Sequence, residues 1–110
     1  MRLPNCKRAV VDDAKVRYYL LSSSHPLGRL KAAFFGALGF SQDNWHDLRD
    51  RLLGMARVND ASRGQASDFG QEFEVRGTPQ GPLGRSAEIV TVWMVPTGWD
   101  FAHFVTAFPG

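Results

Sequence analysis

The spacing of hydrophobic residues changes part-way along the chain. Before residue 59 they recur at intervals of three and four positions, which is typical of helices that bury one face. From residue 72 they recur at every second position, which indicates strands. Helices followed by antiparallel strands predict an α+β fold, with two or three N-terminal helices packed on a three- to four-stranded antiparallel sheet. The 110 residues suffice for one domain, 1–110, with a single core.

Three helices are predicted from capping residues and apolar stripes. Asp12 is a suitable N-cap for a short first helix through Leu21. The second helix is expected to begin at Pro26, whose fixed φ suits a first turn, and to end at Gly39 as a C′ glycine. Ser41 is expected to cap the third helix. The stripe predicted to be buried in that helix comprises Trp45, Leu48, Leu52, Met55 and Ala56.

The second half of the chain predicts strands and their connections. Residues 59–68 are polar and contain glycine, so a mobile connection is expected there. Apolar and charged residues alternate around residues 73–75, which predicts a half-buried strand. Residues 78–84 hold two prolines and two glycines and must form a loop. Residues 86–95 are apolar on both faces, which predicts a central strand covered on two sides, and residues 101–108 form the last strand.

Lys31 occupies an unusual position in the second helix. At about 100° per residue it falls within the apolar arc of that helix, whereas Arg29 falls on the opposite side. That arc is formed by Leu27, Leu30, Phe34, Phe35 and Leu38. An ammonium directed at a core must reach out to solvent, find a partner or line a cleft. We expect the Lys31 ammonium near a carboxylate, a carbonyl or a cleft beside His25; a lysine that reaches solvent from the edge of the arc is the alternative.

Composition and motifs narrow the chemistry. The net charge of +2 permits binding to a polyanion, but no run of basic residues favours it. Cys6 is the only cysteine, so no internal disulfide forms. The histidines have no metal-ligand spacing and no phosphate-binding glycine loop is present, so neither a metal nor a cofactor is predicted. No signal peptide or membrane span is recognisable, and a cytoplasmic protein is expected.

Three polar side chains remain as candidates for a site with Lys31. His25 lies at a helix entry and can act as a general acid or base near neutral pH, or can simply bond the free amides of that helix. Thr91 and Thr106 each lie between apolar neighbours on a strand. Each is either a core residue with a locally satisfied hydroxyl or a donor at the floor of a cleft. Trp93 is interpreted as a core residue, with a stacking platform for a base as the alternative.

Four stretches of the chain resemble a family of small, uncharacterised bacterial domains. They are Leu3-Pro4-Asn5 with Ala9-Val10-Val11-Asp12, His25-Pro26-Leu27-Gly28-Arg29 with Lys31-Ala32 and Ala37-Leu38-Gly39-Phe40, Gly81-Pro82-Leu83-Gly84-Arg85 with Thr91-Val92-Trp93, and Val105-Thr106-Ala107. The segment of pattern His-Pro-x-Gly-x-x-Lys-Ala is the most specific. Members of that family stand alone beside small partner genes or form the tips of large filamentous-haemagglutinin-like adhesins, a position typical of toxin domains.

That setting and the predicted architecture are similar to the barnase, colicin and RelE-type ribonucleases. The resemblance implies a metal-independent endoribonuclease of toxin type, with RNA as substrate and a small antitoxin or immunity protein as partner, and no membrane. His25 would be the acid or base, Lys31 would stabilise charge, and Thr91 and Thr106 would donate hydrogen bonds. The alternative is a non-catalytic protein-interaction module of a toxin–antitoxin-like or adhesin system, in which His25 and Lys31 fasten the second helix.

The chain departs from the family pattern at three aromatic positions. A tyrosine is common in the family where this chain has Phe69, Phe73 and Phe108. A catalytic phenol at those positions is therefore excluded here.

Overall fold

Helices precede an antiparallel sheet in the computed structural model, which describes residues 1–26 and 28–110. The α+β class and the antiparallel sheet are as predicted. The elements are α1 (Asp13–Lys15), a π-helical turn (Val16–Leu20), α2 (Arg29–Ala37), α3 (Trp45–Val58), β1 (Ala61–Ser67), β2 (Gly70–Gly77), β3 (Ile89–Pro96) and β4 (His103–Pro109), with 3₁₀ turns at Cys6–Arg8 and Gln42–Asn44. The strands lie in the order β1-β2-β3-β4, so β4 and β1 are the edges.

One face of the sheet packs against the helices and forms the core. The buried side chains of that face include Val75, Ile89 and Trp93. The five residues predicted as the stripe of α3 are all buried, as expected for a helix that lies on this face. On the other face of β3, Val90 is buried but Val92 and Met94 are only half-buried. β3 is therefore fully covered on one face and only partly covered on the other, where full cover on both was predicted.

The cap of the first helix and the end of the second are as predicted, whereas the predicted cap Ser41 precedes the 3₁₀ turn Gln42–Asn44 and Asn44 precedes α3. The Asp12 carboxylate accepts a hydrogen bond from the Ala14 amide at 2.9 Å, as expected of an N-cap. Gly39 adopts φ +101°, and the amide of the next residue, Phe40, donates to the Phe35 carbonyl at 3.1 Å. This Schellman arrangement needs a glycine at a left-handed position and ends α2 where predicted. The first residue of α2 is Arg29 rather than Pro26, because residues 23–26 form bends and a turn.

The prediction of a mobile connection over residues 59–68 is wrong, because β1 runs from Ala61 to Ser67. Only Ala61 is buried in this strand, so its sequence carries no apolar alternation. Backbone pairing with β2 forms the strand, with an irregularity in register between Arg63 and Ala66. The Gln71 amide group donates to the Gly64 carbonyl at 3.0 Å and helps to satisfy the backbone there.

A bulge in β4 changes which of its side chains face the core. Trp93 pairs with Phe104, but Val92 pairs with Thr106, so one extra residue lies between the two pairs on β4. As a result Phe104 and Ala107 are both buried. The predicted alternation, which placed Thr106 on the same face as Phe104, is therefore wrong.

Candidate functional site

Tyr19 is the point at which three of the four predicted site residues meet. The edge of its ring packs against His25, with the ring centroids 5.2 Å apart at 74°. The Lys31 Nζ atom lies 5.8 Å from the centroid of the tyrosine ring. The Tyr19 hydroxyl lies 3.3 Å from the Thr106 Oγ1 atom. Helical residues from the first part of the chain and the last strand thus contribute to one polar cluster.

An open cleft of about 580 Å³ lies beside this cluster. Its walls come from the N-terminal helical segment on one side and β4 on the other. The polar and aromatic residues that line it are Asp12, Lys15, Tyr18, Tyr19, His25 and Thr106. A second cleft of about 600 Å³, near the start of β1, is lined by none of the predicted site residues. Of the predicted site residues, His25 and Thr106 line the first cleft, and Lys31 lies beside it through its contact with the Tyr19 ring.

The π-helical turn and one glycine position Tyr19. The Leu21 amide donates to the Val16 carbonyl at 3.0 Å, five residues back, which is the bond of a π-helix. Such turns are frequent at functional sites because they displace one side chain from the ordinary helical register. A Cβ atom at Gly28 would lie 2.0 Å from the Tyr19 carbonyl oxygen. Only glycine allows the start of α2 to approach this turn so closely.

His25 is oriented by the backbone that follows it. The Gly28 amide donates to the Nδ1 atom of His25 at 3.1 Å. A ring nitrogen that accepts a hydrogen bond carries no proton, so in the neutral ring the proton is on Nε2. His25 is half-buried and lines the cleft. The neutral ring with its proton on Nε2 is therefore a hydrogen-bond donor and not a general base, and it can act as an acid only as the imidazolium.

Lys31 meets a backbone carbonyl, as one of the predicted options required. Its half-buried side chain places Nζ 2.7 Å from the Ala107 carbonyl oxygen and 5.7 Å from the centroid of the Phe108 ring. The apolar arc is narrower than predicted, because Leu30 is 78% exposed. Leu27, the first residue of the predicted arc, lies outside the described residues. An ammonium has further N–H donors beyond the one that this carbonyl accepts. Lys31 is thus anchored and still able to bind an anion.

Thr91 does not join the cleft, and its predicted role as a donor there is not supported. Its side chain is fully buried, and its hydroxyl donates to the Val75 carbonyl at 2.7 Å. The same oxygen accepts from the Trp93 indole N–H at 2.8 Å. The Thr91 hydroxyl thus donates one hydrogen bond and accepts another inside the core, and both bonds stabilise the sheet. Trp93 is fully buried as well, so its ring is core and not a stacking platform.

Two residues of the cleft were not singled out from the sequence. Tyr19 supplies a phenol to the cleft, although Phe69, Phe73 and Phe108 stand where the family commonly has tyrosine. A tyrosine on the apolar side of a helix is a signal, because its hydroxyl requires a polar partner when it is partly buried. Asp12 was interpreted only as a cap, yet it also brings a carboxylate to the cleft.

Two further searches cover residues 1–26 and 28–110. No group of three or more His, Cys, Asp or Glu side chains in these ranges is arranged to hold a metal ion. No helix in the same ranges has the length and apolar character needed to cross a membrane.

The chain belongs to the DUF6883 family, a domain of unknown function, whose model matches residues 2–110. No curated protein matches the sequence. Among solved structures, the chain is similar to one chain of a contact-dependent growth inhibition toxin–immunity protein complex from Klebsiella pneumoniae 342. The two share 20% sequence identity with a TM-score of 0.72, over 94% of this chain and 95% of the other. This likeness shows a common fold.

Proposed function

We propose that this protein is an endoribonuclease of toxin type that cleaves RNA without a metal ion at the cleft beside Tyr19. The observation that carries the proposal is the convergence of His25, Lys31 and Thr106 on Tyr19, beside an open cleft that His25, Tyr19 and Thr106 line. His25 and Lys31 supply a proton donor and a cation, which are two of the three groups that phosphodiester cleavage without a metal requires. Asp12 in the same cleft supplies the third, a base.

The proposed reaction is attack of a ribose 2′-hydroxyl on the adjacent phosphorus. The bond from phosphorus to the 5′-oxygen breaks, which leaves a 2′,3′-cyclic phosphate and a 5′-hydroxyl. His25, as the imidazolium, donates its Nε2 proton to the departing oxygen and becomes neutral, and Lys31 stabilises the negative charge on the phosphorane. The Asp12 carboxylate, on the wall of the same cleft, accepts the proton of the attacking hydroxyl. Thr106 and Tyr19 donate hydrogen bonds to the substrate or hold the other groups in place.

The fold supports a toxin context. A chain of a toxin–immunity complex shares this fold over nearly the whole length of both chains. A toxin of this kind requires a cognate protein that neutralises it in the producing cell. We therefore propose a small immunity protein or antitoxin as the partner, and the cytoplasm as the compartment in which RNA is cleaved.

RNA cleavage in the presence of a chelator tests the proposal. The purified protein is expected to cleave RNA in EDTA and to leave 2′,3′-cyclic phosphate ends. Lys31→Met is expected to reduce cleavage by about 100-fold or more, since it keeps the methylene packing and removes the charge. Arg29→Met is the matched control, because Arg29 is exposed on the same helix. Intact RNA after incubation with folded wild-type protein would refute the proposal.

A non-catalytic protein-interaction module is the second candidate. It is favoured by the bonds of Lys31 to Ala107 and of Tyr19 to Thr106, which join the helices to β4 and give these polar groups a structural role. A module of this kind predicts no RNA cleavage and no effect on growth. It predicts that Lys31→Met lowers the free energy of unfolding and weakens binding to a partner protein.

A further inference from the structure

Arg17 is held between two aromatic rings outside the cleft. Its guanidinium carbon lies 5.0 Å from the centroid of the Tyr18 ring and 5.2 Å from that of Trp45. Both distances are within the range of cation–π attraction, about 6 Å. The π-helical turn that places Tyr19 in the cluster thus also fixes the position of a cation.

Two more basic side chains share the same indole. The Arg49 guanidinium carbon lies 5.1 Å from the centroid of the Trp45 ring, and the His46 ring stacks on it at 3.9 Å and 29°. Asp50 is the carboxylate that pairs with this group, at 3.1 Å from the Nε atom of Arg49. The guanidinium groups of Arg17 and Arg49 thus meet at one indole, and Asp50 offsets the charge of Arg49.

The Arg17 guanidinium has no acceptor within the described ranges. None of the ion pairs or side-chain hydrogen bonds formed there includes its nitrogen atoms. A guanidinium that is oriented by ring stacking and has free N–H groups presents a planar fork that matches phosphate. Tyr18, one of the two rings, is 58% exposed and lines the cleft together with Lys15. The unpaired guanidinium is therefore stacked on a ring that lines the proposed active site.

We propose that Arg17 and Arg49, seated on Trp45, bind backbone phosphates of a single-stranded RNA that continues out of the cleft. This inference rests on the proposed function for its substrate class. Arginines combined with an exposed aromatic ring are the means by which proteins hold single strands, because the ring stacks on a base and the cations follow the backbone. Tyr18 supplies that ring. An acidic protein surface would need the same charges but would not need the exposed ring at the cleft.

The salt dependence of binding to an uncleavable RNA tests the inference. A 2′-O-methyl oligonucleotide has no attacking hydroxyl, so its binding to the wild-type protein is measured apart from cleavage. Fluorescence anisotropy gives the slope of log K against log salt concentration, which changes by about 0.7 for each phosphate contact to a single strand. Arg17→Gln and Arg49→Gln are each expected to reduce the slope by about that amount and to weaken binding. Arg57→Gln, an exposed arginine on α3, is the control and is expected to leave the slope unchanged.

A conservative variant separates charge from geometry. Arg17→Lys keeps the charge and loses the planar fork, so it is expected to retain the slope and to bind more weakly. If the slopes of Arg17→Gln and Arg49→Gln equal that of wild type, or if wild type does not bind the oligonucleotide, the inference is overturned. An unchanged slope with weaker binding to a partner protein would assign the arginines to a protein interface and overturn it equally. Cleavage of unmodified RNA is scored separately, so the active-site proposal and this inference fail independently.

Discussion

The hydroxyl oxygens of Tyr19 and Thr106 lie 3.3 Å apart and join the first helical segment to the last strand. The positions of both residues depend on local irregularities in the backbone. Thr106 is turned away from the face of Phe104 by the bulge in β4, and Tyr19 is placed by the π-helical turn. The candidate site therefore exists only when both ends of the chain are folded, and substitutions in the cluster should affect stability and activity together.

Removal of the Tyr19 hydroxyl tests this coupling. Tyr19→Phe keeps the ring contacts with His25 and Lys31 and loses one hydrogen bond, so the free energy of unfolding is expected to fall by about 0.5–1.5 kcal/mol. RNA cleavage is expected to fall by about 10-fold or more, which exceeds what unfolding of so small a fraction explains. Urea unfolding and initial cleavage rates measure the two effects. Tyr18→Phe removes a hydroxyl from an exposed ring and should change stability by less; equal effects from both variants would contradict the assignment.

Gly28 is expected to tolerate no side chain. Gly28→Ala would place a Cβ 2.0 Å from the Tyr19 carbonyl oxygen, so α2 must move, at a cost of about 1–3 kcal/mol. Gly36→Ala is the matched control on the same helix, because its Cβ meets no atom within 4 Å. That control is expected to raise stability by about 1 kcal/mol through helix propensity. Thermal unfolding of the two variants should therefore shift in opposite directions, and a stabilised Gly28→Ala would show that the close approach is absent.

The core hydroxyl of Thr91 should matter for stability and not for catalysis. Thr91→Val leaves the Trp93 indole N–H without an acceptor in a buried position, which costs about 1–3 kcal/mol. Once corrected for folded fraction, the cleavage rate of this variant should equal that of wild type. Thr78→Val, at an exposed loop position, serves as the reference. A large loss of activity in folded Thr91→Val protein would return Thr91 to the site.

Expression of the chain alone in a bacterium is expected to arrest growth. The arrest should be lost in Lys31→Met and in His25→Ala, because one removes the cation and the other the proton donor. Optical density after induction and the integrity of total RNA measure the effect, with Arg29→Met as the exposed control. Arrest that persists in the double variant Lys31→Met, His25→Ala would mean that the toxic chemistry lies elsewhere in the chain.

The sequence predicted best those elements whose burial follows a local period. The stripe of α3 from Trp45 to Ala56 is complete, because a helix on a sheet buries one face along its whole length. β1 was missed for the opposite reason. It is an edge strand with six exposed positions of seven, and its pairing with β2 leaves no mark in the pattern of apolar residues.

The candidate site was predicted in part for a related reason. Thr91 and Thr106 look alike in sequence, since each stands between apolar neighbours on a strand. One is buried against Trp93 and the other reaches Tyr19, and a one-residue bulge in β4 produces that difference. Bulges depend on the register between strands, which local sequence does not specify. Lys31 was identified because a charge within an apolar arc needs a partner whatever the register is.

The bond from Lys31 to the Ala107 carbonyl also has a consequence for how copies of this protein meet one another. β4 is an edge strand, and the unpaired backbone groups of an edge invite a strand from another molecule. At the start of β4 the Val10 carbonyl accepts from the Phe104 amide at 2.9 Å, and further along the Lys31 ammonium engages Ala107 and brings a charge to the edge. A lysine at this position therefore discourages self-association by strand addition. Lys31→Met would remove that charge from the edge, so the self-association of this variant is measured beside its cleavage rate, and only its monomer is compared with wild type.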